Sequence, residues 1–584
     1  MNKTKLDPIT FAVLRSGLVN AVAEMKAVVV RTAYSNLWKE AGDLSCGLLT
    51  SRRSELAVQG HGDIPIHLAS MPMSLGACLV RIPPAELKPG DVLYQNDPYQ
   101  GNNHLPDFIM AKPVFFGGRI VAYTAVRGHY VDVGGGGPGS YSATMPDIYA
   151  EGLRIPPVRI FKEGVLNQDI VDVLLHNTRN SRERFGDLRS QFAGCVAAER
   201  RVLSFCQKYG AGTFETAMEE MVDAAEQLTR AAIAKIPDGT YTFEDYCDND
   251  AITEDPIRIV ACVTVRGEEI AIDFTGSSPQ VRGGMNAPLA VTVSAACYAI
   301  KCITDPENLP NSGSYRPIKV NAPYGTVVNP MPPAPVIAGN HETASRIVDV
   351  IIGALASAVP DRICAAGSGS SGVLSLGARL RDDGRERELL MVETHGAGQG
   401  ANRYGDGVNA RRVNVGNTGN TPNEVLEISF PLHIMRYAIS EDGGGGGRTR
   451  GGTGILRELR LDHDATVTLT ADRAKFAPYG VFGGLPAPKA EFWVKLPDGT
   501  RQVLNSKTAP MHFRKGSIIH FRAAGGGGYG PPAERKLSAI QADLDDGYIS
   551  PTAARADYGV LIEHDPDRPE GCWVVSGRAV EATK

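Results

Sequence analysis

The sequence has few of the features that mark disulfide-rich, membrane or secreted proteins. Its ten cysteines run from Cys46 to Cys572 without a CxxC pair, so we expect neither a disulfide scaffold nor a thiolate zinc site, and most cysteines should be buried apolar residues. The longest apolar runs, such as "AVVV", fall far short of the roughly 20 residues that span a bilayer. "MNKTKLDPIT" lacks the apolar core of a signal peptide. We therefore expect a cytoplasmic protein with no membrane partner.

Neither sign of charge is in large excess, and nucleotide-binding motifs are missing. Sixty basic residues against 65 acidic ones give a net charge of −5, which makes nucleic acid an unexpected partner. The glycine clusters "VDVGGGGPGS", "EDGGGGGRTRGGTG" and "AAGGGGYGPP" fit neither GxxxxGK[ST] nor a strand–GxGxxG–helix pattern. We predict that these glycines allow tight turns and close backbone approach. A GxSxG nucleophile elbow is also absent.

Length and composition indicate a multidomain protein of the α+β class. A chain of 584 residues corresponds to about three to four domains, and its 65 glycines and 38 prolines argue against a helical bundle. We predict mixed and antiparallel sheets, a helical hairpin insertion and a β-rich C-terminal part. The predicted units are an N-terminal helix plus a β-rich domain that holds the candidate metal site (1–180), a helical hairpin (181–240), an α/β central domain (241–424) and a β-rich domain with glycine loops (425–584).

Helical periodicity is clearest near the N-terminus and in the hairpin. Asp7 can cap a helix whose first position is Pro8, and apolar residues then recur every three or four positions. Two further helical runs between 182 and 235 are separated by "GAG", which predicts two packed antiparallel helices. Helices are also expected from Pro288 to Tyr298 and over 345–358.

The stretch "NDPYQGNNHLPD" (96–107) contains the strongest candidate chemistry. Its prolines and glycine exclude a helix or a central strand, so it predicts a shaped loop between two strands. His104 and Asp107 are three residues apart, and His129 follows His104 by 25. Imidazole and carboxylate together suit a divalent zinc, manganese or iron ion, and Asp43 could supply a fourth ligand. From spacing alone, the alternative is that these side chains brace turns and loop amides.

A second polar run, "GHGDIPIH", holds His61, Asp63 and His67. These residues could support a metal site from its second layer or could simply form a turn, and the turn is the favoured interpretation.

Many stretches resemble the hydantoinase B family, in order and over nearly the whole chain. They are "NDPYQGNNHLPD", "GHYVDVGG", "EGLRIPPVRI", "FGDLRSQFA", "IPDGTYTFEDY", "DFTGSSPQVRGGMNAP", "GNTPNEVLE", "GGGRTRGGTG", "PYGVFGG" and "GGGGYGPP". The family comprises one subunit of ATP-dependent N-methylhydantoinases and caprolactamase, the matching half of 5-oxoprolinases, and a related subunit of acetone and acetophenone carboxylases. Its metal motif falls on Asp43, His104, Asp107 and His129.

The resemblance implies a partner and a division of labour. The expected partner is a hydantoinase A-type subunit of actin-like fold that binds ATP-Mg, in a hetero-oligomer such as A2B2. It would phosphorylate the carbonyl oxygen of a cyclic amide (a hydantoin, 5-oxoproline or a lactam). Metal-activated water in this chain would then attack the carbon, with Asp63 or His61 as the expected proton carrier. The alternatives are a subunit of an acetone-type carboxylase and a non-catalytic scaffold for the ATP-binding subunit.

The chain departs from the family pattern at three positions. Tyr130 replaces a histidine that many relatives carry after the position of His129. Asn414 stands where relatives often carry a histidine, and His395 stands where small residues are usual. These departures leave the substrate open.

The missing phosphate loop gives a first testable prediction. We expect the isolated chain neither to bind Mg-ATP with micromolar affinity nor to hydrolyse it, because no segment offers the backbone amides that cradle phosphates. Titration calorimetry with Mg-ATP on the chain alone measures this, and a micromolar dissociation constant would contradict it.

Overall fold

The computed structural model describes residues 6–382, 385–566 and 573–578 and confirms the α+β class. The described helices are α1 (Pro8–Thr32), α2 (Asn36–Lys39), α3 (Ser70–Arg81), α4 (Ile148–Glu151), α5 (Gln168–His176), α6 (Ser181–Tyr209), α7 (Ala211–Ile233), α8 (Leu289–Thr304), α9 (Ser312–Tyr315), α10 (Ala344–Leu355), α11 (Asn423–Ser429), α12 (Leu537–Asp545) and α13 (Pro551–Tyr558).

The strands form four larger sheets and a hairpin. They are β1 (Leu44–Thr50), β2 (Leu56–Gln59), β3 (Val92–Gln95), β4 (Asp107–Phe116), β5 (Arg119–His129), β6 (Val158–Lys162), β7 (Val165–Leu166), β8 (Gly239–Cys247), β9 (Ile257–Arg266), β10 (Glu269–Asp273), β11 (Ile318–Asn321), β12 (Val373–Asp382), β13 (Arg385–Glu393), β14 (Leu432–Ile439), β15 (Ile455–Leu461), β16 (Ala465–Thr470), β17 (Glu491–Lys495), β18 (Arg501–Val503), β19 (Met511–Phe513), β20 (Ile518–Arg522), β21 (Val560–His564) and β22 (Trp573–Arg578).

The first sheet has seven strands in the order β2-β1-β5-β4-β3-β6-β7, with every neighbouring pair antiparallel. The central strands β4 and β5 are joined by Gly117 and Gly118, which both have positive φ, as a two-residue hairpin turn requires. The predicted loop 96–107 does connect two strands, β3 and β4.

Both faces of this sheet are buried because helices cover each of them. Phe108 and Met110 of β4 join the large core beneath α6, whereas Ile109 and Ala111 join a second core beneath α3. Alternate side chains of a strand point to opposite faces, so Asp107 lies on the α3 face. The strands therefore read as continuous apolar runs instead of a half-polar alternation.

The predicted N-terminal helix and helical hairpin are both present. The Asp7 carboxylate accepts a hydrogen bond from the Thr10 amide (2.9 Å), and Pro8 opens α1, as a capped helix start demands. The hairpin helices α6 and α7 are separated by Gly210 alone, at a φ of 83°. α6 also packs closely on α1, where Gly17 leaves room for the Phe205 ring.

The remaining sheets combine strands from distant parts of the chain. The second sheet runs β11-β10-β9-β8, with β10 and β11 parallel, and α10 lies on it beside α8. The third runs β13-β12-β16-β19 and the fourth β14-β15-β20-β17-β18. The four predicted domains stay predictions, although the third sheet takes strands from both sides of the 424/425 boundary.

The glycine clusters of the C-terminal half pack backbone against backbone. The Gly445 amide donates to the Gly526 carbonyl (2.9 Å), and the Gly451 amide donates to that of Gly445 (2.9 Å). A Cβ added at Gly451 would lie 1.8 Å from the Gly526 oxygen, and one at Gly525 would lie 1.7 Å from the Gly443 oxygen. These residues are glycines because no side chain fits between the segments.

Two expectations about composition also have structural outcomes. Six of the nine described cysteines are buried and three are half-buried, all without a disulfide; Cys572 lies outside the described residues. Among the described helices, none combines the length and the apolar character needed to cross a membrane.

Gly128 of β5 gives a prediction for stability. A Cβ there would lie 2.2 Å from the Trp38 ring, so we expect Gly128→Ala to destabilise the protein by about 1–3 kcal/mol through overpacking. Thermal unfolding followed by circular dichroism would show a lower midpoint.

The matched control is Gly76→Ala in α3, where a Cβ meets nothing within 4 Å. That substitution should leave the midpoint unchanged or raise it slightly, since alanine favours a helix by about 0.5–1 kcal/mol. Equal midpoints for the two variants would contradict the packing explanation.

Candidate metal centre

Strand register brings the predicted ligands to one edge of the first sheet. Asp107, the first residue of β4, is the direct cross-strand partner of His129, the last residue of β5. On the other side of β5, Leu44 pairs with Gly128, and the His129 amide donates to the Asp43 carbonyl (3.2 Å). Three adjacent strands therefore place Asp43, His129 and Asp107 side by side, although they are far apart in sequence.

The loop before β4 positions His104 through its asparagines. The Asn96 side chain donates to the Leu105 carbonyl (2.7 Å) and accepts from the Ile155 amide (2.6 Å). The Asn102 side chain donates to the carbonyls of Asp107 (2.5 Å) and His104 (3.3 Å). These amides replace the backbone pairing that an irregular buried loop lacks, which explains why the stretch is rich in asparagine.

His104, Asp107 and His129 converge on one point. His104 Nε2 lies 3.1 Å from Asp107 Oδ1 and 3.2 Å from His129 Nδ1, and the last two atoms are 3.2 Å apart. Ligand atoms at about 2.1 Å from a cation would be about 3.4 Å apart in a tetrahedron and about 3.0 Å in an octahedron. The three residues are buried, and in the part of the chain that the structure describes they are the group of such side chains able to hold a metal ion.

Neighbouring groups fix the orientation and charge of these side chains. His104 Nδ1 lies 3.0 Å from the Ile337 carbonyl, which favours a proton on Nδ1 and makes Nε2 the acceptor, 3.2 Å from the Asn340 side-chain nitrogen. Asp107 Oδ2 lies 3.2 Å from His67 Nε2, whose ring is held by Ser45. Burial alone would raise the pKa of Asp107, but His104 and His67 hold it well below its usual value. The donor set and its charge state fit a divalent cation.

His67 is therefore part of the site. Sequence analysis favoured a plain turn for "GHGDIPIH", and Pro65–His67 does form a 3₁₀ turn. The ring of His67 nevertheless contacts Asp107, so the turn also supports the candidate ligand.

A small cavity adjoins the cluster. Its volume is about 20 Å³, roughly the room that a single water needs. Asp43, Asp107 and His129 line one side, together with His67. The rest of the lining includes Tyr141, Asn340, His341, Thr394 and Arg412. The Asn340 side-chain nitrogen lies 3.2 Å from His104 Nε2, and the Tyr141 ring lies 5.8 Å from that of His129. Asp43 is thus at the cavity, but it does not belong to the close cluster of three.

The part of the cavity lining that comes from the polar turn before α10 was not identified from the sequence. Asn340, His341 and Glu342 lie in a single π-helical turn, Gly339–Thr343, that precedes α10. His341 Nδ1 is 2.9 Å from Glu342 Oε1, and His341 Nε2 is buried without a hydrogen-bond partner among the described residues. Burial lowers the pKa of His341. The signal in the sequence was the polar run "GNHET" directly before an apolar helix.

The two predicted proton carriers lie elsewhere. The Asp63 carboxylate contacts Lys26 (2.7 Å) and accepts from the Cys46 amide (2.8 Å), and its pKa is raised by burial. His61 is exposed. Neither residue lines the cavity, so their role in proton transfer stays a prediction, and the cavity wall offers His341 for that role.

The three departures from the family pattern also lie outside the cavity lining. The Tyr130 hydroxyl donates to Gln191 (2.9 Å), and its ring stacks on Phe108, on the α6 face of the sheet. Asn414 donates to Asp349 (2.9 Å) behind the cavity. His395 stacks on Phe521, and burial lowers its pKa to about 3, so it is a neutral core residue.

Comparison with known proteins adds family information to this geometry. The hydantoinase B/oxoprolinase family model matches residues 7–532. The caprolactamase subunit beta of Pseudomonas jessenii is 32% identical over 566 residues, which cover 96% of this chain and 97% of that protein. The crystal structure of ATP-dependent caprolactamase from Pseudomonas jessenii has a TM-score of 0.89 at 30% identity and covers 96% of this chain and 97% of that one. A nucleotide-free structure of acetone carboxylase shares the fold, with a TM-score of 0.89 at 20% identity over 98% of this chain and 81% of that one.

The cluster predicts stoichiometric metal. We expect about one divalent ion per chain, and we expect His104→Ala and Asp107→Ala each to abolish its binding, because two remaining donors cannot hold it in competition with water. Elemental analysis of the purified variants measures the metal content, and circular dichroism confirms that they are folded.

The control is His176→Ala, which removes an exposed histidine on α5 and should leave the metal content unchanged. Wild-type metal content in both cluster variants would show that the ion binds elsewhere.

Proposed function

Because the chain belongs to the hydantoinase B/oxoprolinase family, we propose that it is the hydrolytic subunit of an ATP-dependent cyclic amide hydrolase. The observation that carries the proposal is the buried cluster of His104, Asp107 and His129, which faces a cavity whose lining also holds His341 and Arg412. A hydantoin, 5-oxoproline or a lactam is the proposed substrate. The relative from Pseudomonas jessenii is named as a subunit beta, which supports a partner subunit.

The proposed partner is an ATP-binding subunit of the hydantoinase A type, and the two subunits would form a hetero-oligomer such as A2B2. It would transfer the γ-phosphoryl group of ATP-Mg to the carbonyl oxygen of the ring and release ADP. An amide carbonyl is a poor electrophile. In the resulting imidate phosphate, the same carbon is more electrophilic. Hydrolysis at that carbon is the step that we assign to this chain.

The ring would open by addition of one water to the activated carbon. Both protons of that water end on the ring nitrogen, which leaves when the C–N bond breaks, as an amine from a lactam or 5-oxoproline and as a carbamoyl NH2 from a hydantoin. The remaining acyl phosphate then reacts with a second water to give a carboxylate and inorganic phosphate. ATP, cyclic amide and two waters thus give ADP, phosphate and the ring-opened acid.

His104, Asp107 and His129, with Asp43 beside them, would hold a zinc, manganese or iron ion. Such an ion lowers the pKa of a bound water toward about 7. His341 is placed to carry protons from water to nitrogen, since it lines the cavity, its Nε2 is free of other contacts and Glu342 holds its Nδ1. The lowered pKa of His341 keeps it neutral and able to accept a proton at neutral pH.

Two alternatives make different demands on the same cavity. A carboxylase subunit would join a phosphorylated enolate to activated bicarbonate, and the likeness to acetone carboxylase, at 20% identity, supports the fold alone. A non-catalytic scaffold would not need the buried donor cluster. Bicarbonate dependence of the turnover identifies the carboxylase, and full activity without metal identifies the scaffold.

Separate sites for phosphorylation and hydrolysis predict uncoupling. In the assembled complex, we expect His129→Ala to lower metal content and stop ring opening while some ATP is still consumed. The physical reason is that an imidate phosphate that is not attacked at carbon can lose phosphate to water and return the original ring. Phosphate and ring-opened product are measured together, and their ratio should rise at least tenfold.

The outcome that contradicts this assignment is full product formation by a metal-free His129→Ala complex. The hydrolytic step would then lie outside this cluster, and the ion would be structural. Omitting and adding bicarbonate in the wild-type assay completes the test, because a hydrolase opens the ring equally in both.

A further inference from the structure

Arg412 is a charged group in the cavity lining that forms no ion pair among the described residues, although the carboxylates of Asp43 and Glu342 lie close enough to act on its charge. Its Nη1 donates to Thr394 Oγ1 (3.1 Å) and to the Thr418 hydroxyl, and its Nη2 donates to Ser371 Oγ (3.3 Å). The Nε atom is buried and has no hydrogen-bond partner in the part of the chain that the structure describes. Within the described residues, no carboxylate oxygen lies within 4.0 Å of its guanidinium, the limit for an ion pair.

The positive charges of the fully buried arginines are balanced in different ways. Arg346 contacts the carboxylates of Asp245 and Asp472, 3.0 and 2.9 Å away, and Arg473 contacts Asp349 at 2.8 Å. Arg127 also bonds to hydroxyls, but it does not line the cavity. The direct hydrogen-bond partners of Arg412 are neutral hydroxyls, so its guanidinium keeps the capacity to bind an anion.

The segment around Arg412 is fastened to the half of the chain that carries the metal cluster. The Val415 carbonyl accepts from the Ile66 amide (3.1 Å), and the Gly419 amide donates to the Ala41 carbonyl (2.8 Å). The Asn417 side chain donates to the Gly62 carbonyl (3.1 Å). These contacts hold segment 411–419 beside the metal cluster, where Arg412 and Val415 join the cavity lining.

We propose that Arg412, oriented by Ser371, Thr394 and Thr418, binds the phosphoryl oxygens of the activated substrate. This inference rests on the proposed function, because that reaction is what brings a phosphoryl group to the cavity. The planar guanidinium suits phosphate oxygens, which it binds in pairs. Binding there would place the phosphoryl group at Arg412 and leave the ring carbon toward the metal cluster.

The size of the cavity adds a condition. A volume of about 20 Å³ does not admit a phosphorylated ring, so the cavity has to widen for the substrate to enter. Contact of Arg412 with the phosphoryl group would favour the substrate-bound form. The same residue would select the activated substrate over the free cyclic amide, which carries no phosphoryl group.

Phosphate affinity of the isolated chain tests the binding role without ATP or partner. Inorganic phosphate is titrated by calorimetry into the wild type and into Arg412→Ala, Arg412→Lys and Arg411→Ala. We expect Arg412→Ala to weaken phosphate binding about tenfold or more and Arg412→Lys to weaken it less, because lysine keeps the charge and loses the paired geometry. Arg411 is exposed and adjacent, so Arg411→Ala should stay within about twofold of the wild type.

A second measurement places the anion site in the reaction. In the assembled complex, Arg412→Ala should keep its metal content and lose ring-opened product per ATP consumed, while Arg411→Ala keeps both. Thermal unfolding of all variants verifies that they are folded.

Equal phosphate affinity of folded Arg412→Ala and wild type, or absence of phosphate binding by the wild type at tens of millimolar, would overturn the inference. The proposed function fails on a different result, namely ring opening that persists without metal. The two failures are therefore distinguishable.

Discussion

The pairing of β4 with β5 is the constraint on which the candidate centre depends. Asp107 and His129 face each other only because the Gly117–Gly118 turn and the irregular step between Val114 and Phe115 set the register of this hairpin. A shift by one residue would move every side chain of a strand to the opposite face. Asp107 would then lie beneath α6 among apolar side chains, where a carboxylate has no partner. The register is held because both faces are buried, so neither strand can slip without placing polar groups in a core.

The same arrangement decides how charge is tolerated inside the protein. Asp107 is buried, and its two oxygens are divided between His104 and His129 on one side and His67 on the other. Near the cavity, Glu342 accepts from the Ser371 amide (2.9 Å) and contacts His341. Buried charges occur in proteins where they are paired or have a functional role. Here the carboxylates of Asp43 and Asp107, the imidazoles and the Arg412 guanidinium share one cavity lining.

Local features of the site could be predicted from the sequence, but the parts of the cavity lining that are distant in sequence could not. The cap at Asp7, the loop 96–107 and the His104–Asp107–His129 spacing are local patterns, and their positions in the structure follow from turns and one hairpin. His341 and Arg412 are more than 200 residues from Asp107, and they reach the cavity through a π-helical turn and segment 411–419. The periodic pattern of apolar residues in the sequence does not predict contacts between segments so far apart. The third sheet illustrates the same difficulty, since β12 pairs with β16 across a predicted domain boundary.

The glycine segments of the C-terminal half have a consequence for how mutational data would be interpreted. At Gly444, Gly445, Gly451, Gly452 and Gly454, and again at Gly525–Gly528, a single added methyl group would overlap a backbone carbonyl oxygen. A library of random substitutions would therefore show intolerant positions there, as intolerant as those around a reactive centre, although these residues contribute only backbone. Intolerance to substitution in this chain therefore has two causes, close packing of backbone segments and chemical function. The residue type distinguishes them: an intolerant glycine indicates packing, whereas an intolerant arginine or histidine indicates a functional role.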